Sequence, residues 1–411
     1  MPRQFWLLTI GLVVLVTGID ISLPFQTSYL TQELGIPITT VGLVLGIPAL
    51  LVLPFHIVGG MLVDRFGRKT AMLIGGAFMI LFYGTFALAH TLWPIAIVVS
   101  LEAAFGWALF LTGSNAMVAD LIPYQRRAEA YSLTRVATYI AMIIGPLLAG
   151  LILAAGAGYR PLFLASVCLC GAFVVLVVSV FRDTASRSST APASFTGMLG
   201  EYGGVLCDRR FLAFCAAALF PLYGFGQIWT TLPVALHDAH GVSARDWSLL
   251  VVIYAVTVTI LQYPLIRVLR NRDPLLLMAT CSVLLCGGLA GTTIVPLGVL
   301  TILCMTTVGF GSMLLMPISA SVAAALAPPH LRGRYMATWT LAQTGGYALG
   351  PTFGGWALGG LGSLGAAAVL AACGAVGATA FLILRCRLGQ PQPPAAIATH
   401  EVVAPATPAK R

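Results

Sequence analysis

Charge is what this sequence has least of. Only 9% of its 411 residues are Asp, Glu, Lys or Arg, whereas 59% are hydrophobic. A soluble domain carries about a quarter charged residues, so water cannot be the solvent for most of this surface. Metal and redox signatures are missing too. There are nine cysteines, an odd number, but no Cys-x-x-Cys pair accompanies a His cluster, and Cys168, Cys170, Cys281, Cys286 and Cys304 lie in apolar runs. Thiols placed that way act as small packing groups. The six histidines are scattered, and His56 reads as a hydrogen-bonded packing residue ahead of a proton carrier. No nucleophile, metal or phosphate-loop motif appears, and the loops are too short for a soluble catalytic domain. A membrane enzyme or a lipid-handling scaffold is therefore the least favoured class. The opening Met1-Pro2-Arg3-Gln4 lacks a strongly basic stretch, and the first apolar run continues without a small-residue cleavage site, which predicts a retained helix and no signal peptide.

What is present is a succession of long apolar runs, with a mean hydropathy of +0.95. Hydrocarbon is roughly 30 Å thick and demands internally bonded backbone, so each run of about 20 residues predicts a membrane-spanning helix. Spans are predicted over 5–30, 39–60, 70–90, 93–119, 130–155 and 161–181, then over 210–236, 247–268, 274–295, 298–326, 335–360 and 363–384. The chain thus reads as a twelve-helix, all-α integral membrane protein.

Arginines set its orientation. With the N-terminus in the cytoplasm, all of the 22 Lys and Arg except Arg135, Arg160 and Arg245 fall on cytoplasmic loops or ends. That is the positive-inside pattern, and it predicts a multi-pass protein of the inner or plasma membrane with both termini cytoplasmic. The formal net charge of +9 is explained by topology and by contact with the anionic leaflet, and calls for no nucleic-acid partner.

Shifting the chain by 205 residues superposes Pro123, Arg127, Gly145, Pro146 and Gly150 on Pro328, Arg332, Gly350, Pro351 and Gly355 without a gap. The fifth span recurs as the eleventh, which implies two six-helix halves. The predicted organisation is an N-terminal bundle over 1–181, a polar cytoplasmic linker over 182–208, a C-terminal bundle over 209–387 and a disordered Pro- and Ala-rich tail over 388–411.

Between the second and third spans lies Gly60-Met61-Leu62-Val63-Asp64-Arg65-Phe66-Gly67-Arg68-Lys69. It fills every fixed place of Gly-x-Leu-x-Asp-basic-x-Gly-basic-basic, and in this the chain resembles the major facilitator superfamily. The resemblance implies two pseudo-symmetric six-helix bundles that rock about a mid-membrane site, carrying a small molecule with a proton gradient and no cofactor, as a monomer in the bilayer. It also implies a role for the loop: Asp64 would face the N-terminal end of the eleventh helix near Arg334 and Tyr335, where unpaired N–H groups favour negative charge, and Arg68 would pair with Asp120. Together these residues would latch the cytoplasmic side while the protein is open outward. The alternative is a set of solvated topology charges.

Of 13 acidic residues, Asp20 and Glu102 alone fall well inside predicted spans. Each costs roughly 2.5–3.5 kcal/mol on insertion scales if it faces lipid, so both are expected to face a cavity and to couple protons to substrate. A structural, hydroxyl-bonded carboxylate is the bland alternative. In the resembling drug:proton antiporter branch the fourth helix carries Arg-x-x-Gln-Gly. Aligning that glycine with Gly106 puts Glu102 where the arginine stands and Phe105 where the glutamine stands. The charge is inverted, which suits cationic or neutral amphipathic substrates over anions. Gly145-Pro146-Leu147-Leu148-Ala149-Gly150 partly matches the branch's antiporter motif; Gly350-Pro351-Thr352-Phe353-Gly354-Gly355 matches it fully, but in the second half. Gly allows close helix approach and Pro a bend, useful at a moving seam. Trp107, Phe110, Tyr223, Gln227, Trp229, Met313 and Met316 are candidate cavity walls for a bulky ligand. An exporter is read ahead of a proton symporter importing a nutrient. For the topology, a reporter active only outside the cytoplasm, fused after Arg387, is expected to give no signal.

Overall fold

The computed structural model describes residues 1–51, 67–123, 126–181, 205, 207–269, 271–328 and 331–388. The described residues are almost entirely helical, with no strand among them. Nine of their helices are long and apolar enough to cross a membrane, and a bent pair, Arg209–Gln227 with Thr231–His240, makes a tenth. The long helix Arg332–Leu388 is two spans merged across Gly362, where φ is 69°. With Ile38–Leu51 opening the second span, the count reaches the twelve of the predicted fold. The remaining spans are the first over Arg3–Glu33, the third over Arg68–Leu88, the fifth over Arg127–Ala154 and the sixth over Arg160–Val180. The eighth is Ala244–Leu269, the ninth Pro274–Ile294 and the tenth Val299–Leu326. The linker 182–208, apart from 205, 207 and 208, lies outside the described residues, as does the tail from 389 onward.

Three spans predicted as continuous are broken. The fourth, read as 93–119, is split at Gly106 into Leu92–Phe105 and Trp107–Leu121. The seventh, read as 210–236, bends by 57° between Gln227 and Thr231. The first changes to a 3₁₀ turn at Leu23–Phe25, where Pro24 cannot donate a helical hydrogen bond, and finishes in a π turn at Tyr29–Glu33. Hydropathy registers only how apolar a run is, so an internal change of direction leaves it unaltered.

Polar side chains gather at the arginine-rich end, where they finish the helices. Asp208 Oδ1 accepts from the backbone N–H groups of Arg210 and Phe211 and so caps the seventh span, while its Oδ2 takes the Tyr335 hydroxyl at 2.8 Å. Asp273 caps the ninth span in the same way and pairs with Arg385 at 2.6 Å. Each carboxylate thereby satisfies orphan donors at a helix start and ties two spans together.

The internal repeat has a spatial counterpart. A Cβ placed on Gly145 would lie 2.7 Å from the Cβ of Asp20, and one on Gly350 would lie 2.8 Å from the backbone of Gly226. Each glycine lets its span, the fifth or the eleventh, meet the first span of its own half, the first or the seventh. The proline that follows faces the other half. Ser248 Oγ donates to the Pro146 carbonyl at 2.6 Å, and Gly42 lies against the Pro351 carbonyl. The second span thus packs on the eleventh and the fifth on the eighth. Both seams run toward the arginine-poor end, with Thr352, Gly355 and Gly359 meeting residues 38–46. Gly145→Ala is expected to destabilise the protein by about 1–3 kcal/mol through overpacking. Thermal unfolding of purified protein checks this, with Gly171→Ala, where nothing lies within 4 Å, as the unaffected control.

Candidate functional site

Asp20 stands one turn before the Pro24 break of the first span, and the Glu102 carboxylate folds back over the break of the fourth. The geometry at Gly106 follows from what a helix break demands. Its ψ of −98° is not helical, and its N–H still bonds the Glu102 carbonyl at 2.6 Å. The helix restarting at Trp107 has orphan N–H groups in the middle of an apolar span. Glu102 Oε1 accepts one of them, the Trp107 N–H, at 3.2 Å. A Cβ at Gly106 would sit 2.6 Å from that same oxygen, so the residue must be glycine for the carboxylate to reach its donor.

Both acids line one cavity of about 480 Å³. Its polar groups are Asp20, Gln26, Tyr83, Glu102, Thr138 and Thr230, with the Trp107 indole beside them; Val16, Met79, Phe82 and Met142 supply apolar wall. No Lys or Arg belongs to the described lining. Thr230 and Pro351 come from the second half and the rest from the first, so the cavity lies where the halves meet. Asp20 Oδ2 and Thr17 Oγ1 are buried and have no hydrogen-bond partner among the described residues. Arg135 is exposed on the fifth span and is not part of this wall. Among the described residues no group of three or more His, Cys, Asp or Glu could hold a metal ion.

Of the aromatic and Met candidates, Trp107 lines this cavity. Phe110 is fully buried with its edge toward Phe173, ring centroids 5.3 Å apart. Tyr223 faces a separate apolar groove of about 460 Å³ with the exposed Phe353 and Trp356. Gln227 is buried and accepts from the Thr231 hydroxyl at 2.8 Å. Trp229 packs edge-on against Tyr254. Met316 Sδ accepts from Gln343 and Tyr347, and Met313 is buried. Sequence reasoning missed Tyr83, Gln26 and Thr230. A tyrosine in the middle of an otherwise apolar third span was the available signal, because a buried phenol needs a polar partner.

Of the signature loop, Gly60, Asp64 and Arg65 lie outside the described residues. Gly67 precedes the third span, whose first residue, Arg68, meets Asp120 with Nε to Oδ2 at 3.0 Å. Lys69 Nζ donates to the carbonyls of Val178 and Phe181 at 2.9 and 2.8 Å and so ends the sixth span. Both interactions join spans within the first half. Gly150 lies beside the Ser248 hydroxyl, Gly354 against the Gln227 side chain and Gly355 against the Ile38 carbonyl.

The Major Facilitator Superfamily matches residues 8–351 and, in an overlapping second alignment, 223–410. The chain belongs to that superfamily. The second match begins in the seventh span, as the internal repeat requires. Among curated superfamily members, the chain is 30% identical over 365 residues to the multidrug resistance protein MdtH of Edwardsiella ictaluri (strain 93-146), covering 86% of each. It is 25% identical over 360 residues to a Na(+), Li(+), K(+)/H(+) antiporter of Planococcus maritimus, covering 80% of this chain and 83% of that one. Among solved structures, a variant of the nucleoside transporter NupG aligns with a TM-score of 0.79 at 15% identity, over 93% of this chain and all of that one. This last likeness speaks for the fold alone. Superfamily members are transporters, and the chain is a multi-pass membrane transporter and not an enzyme.

Glu102→Ala is expected to leave the Trp107 N–H without its acceptor and to cost about 0.5–1.5 kcal/mol, the net worth of one hydrogen bond. Glu102→Gln keeps an acceptor oxygen and is expected to recover most of that loss. Thermal unfolding of both variants checks the pair.

Proposed function

We propose that the protein is a proton-coupled exporter of cationic or neutral amphipathic small molecules, working by alternating access in the cell membrane with both termini cytoplasmic. The observation that carries the reading is a cavity between the two halves with two carboxylates and no cation on its described wall. Such a field repels anions and attracts protons and organic cations. Aromatic and Met walls suit a bulky apolar body, whereas a sugar would need more hydrogen-bond partners than this lining offers.

Asp20 is the coupling residue in this reading. Its Oδ2 is buried without a partner among the described residues, so the carboxyl can hold a proton and give it up when a cation or water arrives. Glu102, engaged at the helix break, assists by adding charge. Asp64, Arg65, Arg68, Lys69 and Asp120, with Gly60 and Gly67, form the latch of the arginine-rich face, and the two Gly-Pro motifs form the seams. Packing of the halves at the arginine-poor end fits a state open to the cytoplasm. Similarity to a multidrug resistance protein and to a cation/proton antiporter favours export by exchange over nutrient import.

The test uses purified protein in proteoliposomes, with tetraphenylphosphonium as the cationic probe and a pH-sensitive dye reporting protons. Wild-type protein is expected to move the cation against an imposed proton gradient, with protons running the opposite way. Asp20→Asn is expected to abolish the proton-driven flux while retaining binding of a neutral amphipath, because the amide keeps size and hydrogen bonding but cannot titrate. Normal flux with normal pH dependence in Asp20→Asn would remove the coupling role from this residue. Co-transport of protons and probe in the same direction would replace export by symport.

A further inference from the structure

Trp247 is the largest fully enclosed side chain of the eighth span, with 2% of its surface exposed. Its indole N–H crosses from one half to the other and donates to the Pro24 carbonyl at 3.0 Å. A buried indole N–H needs an acceptor, and here the acceptor belongs to a body that must move relative to the donor in any alternating-access cycle. The next residue, Ser248, makes the second crossing, to the Pro146 carbonyl. These two adjacent residues therefore grip both flanks of Asp20. Pro24 is one turn beyond it on the first span, and Pro146 follows Gly145, which packs directly on its Cβ.

We propose that Trp247 is the positioning residue of the gate at the arginine-poor end: its hydrogen bond to Pro24 holds the first span closed above Asp20 and must break whenever that end opens. Neutral hydrogen bonds suit a gate that has to release. An ion pair desolvated at this depth would be costly to form and costly to break, whereas one neutral bond biases the two states only modestly. When the end opens, water replaces the proline carbonyl as the acceptor, so neither state carries an orphan donor. The gate also reaches the site. Opening it frees the backbone four residues from Asp20, giving that carboxylate a route to the arginine-poor face at the moment the opposite face closes.

The experiment measures the closed and open populations directly in the intact protein reconstituted in nanodiscs. Spin labels are placed on bio-orthogonal residues at positions 91 and 297, in loops of different halves at the arginine-poor end, because nine native cysteines rule out thiol labelling. Distances are read by double electron–electron resonance. Trp247→Phe removes the N–H and keeps an aromatic body. Replacing Trp247 by benzothienylalanine removes the N–H and keeps the full ring shape, so this second variant gives the same readout if the phenylalanine protein folds poorly. In both, the ratio of open to closed populations is expected to rise about 2- to 12-fold, the range of one net hydrogen bond. Trp93→Phe, at an exposed position, is expected to leave the ratio unchanged. Unaltered distance distributions in both Trp247 variants, even with a lower melting temperature, would overturn the proposal and leave Trp247 as packing alone. The populations are read without substrate, so the outcome is independent of whether Asp20 carries the proton.

Discussion

Hydrocarbon offers no partner to a polar group, and the rest of this structure is arranged around that constraint. A backbone donor or a carboxylate inside the bilayer must be answered by the protein itself or by water that the protein admits. The arginine-rich end meets the demand with caps: Asp208 and Asp273 each take two backbone N–H groups and then a side chain from a neighbouring span. The middle of the fold meets it with Glu102. Breaking the fourth span at Gly106 leaves a new helix start in an apolar setting, and the carboxylate four residues earlier supplies the acceptor. What looked in the sequence like an expensive charge is partly compensated by the break it accompanies.

Asp20 is different because one of its oxygens, Oδ2, has no partner among the described residues. That oxygen is buried, and the residue stands at the wall of a cavity large enough for a ligand. An acid that accepts a backbone N–H and an acid with a buried oxygen left unpartnered among the described residues, facing the same space, divide naturally into a fixed charge and an exchangeable one. The proposed coupling rests on that asymmetry, and the described cavity wall contributes no cation to quench either acid.

The Gly-Pro repeats gain a mechanical meaning from the packing. In each half the glycine brings two spans of that half together, while the neighbouring proline carbonyl faces a span of the other half. One short motif therefore serves both the rigidity of a bundle and the seam along which the bundles move. Duplication of the motif places the two seams at related positions in the two halves, and Trp247 adds a contact whose position in the repeat, Gly42, has no side chain to donate.

Sequence alone determined the solvent, the number of spans, the twofold repeat and the two acids worth watching, because each depends on counting apolar runs and on where charge is tolerated. Asp20 and Glu102 stand out in the sequence for that reason. Tertiary structure decided the rest. Tyr83, Gln26 and Thr230 join the cavity through packing between spans far apart in the chain, and Tyr223, Phe110 and Met316 turn to other surfaces although their residue types suit a ligand wall equally well. The breaks at Gly106 and after Gln227 were equally hidden, since an apolar run has the same composition whether it is straight or bent. Which face of a helix meets the cavity is set by long-range contacts, and in a span apolar on every side no periodicity records them.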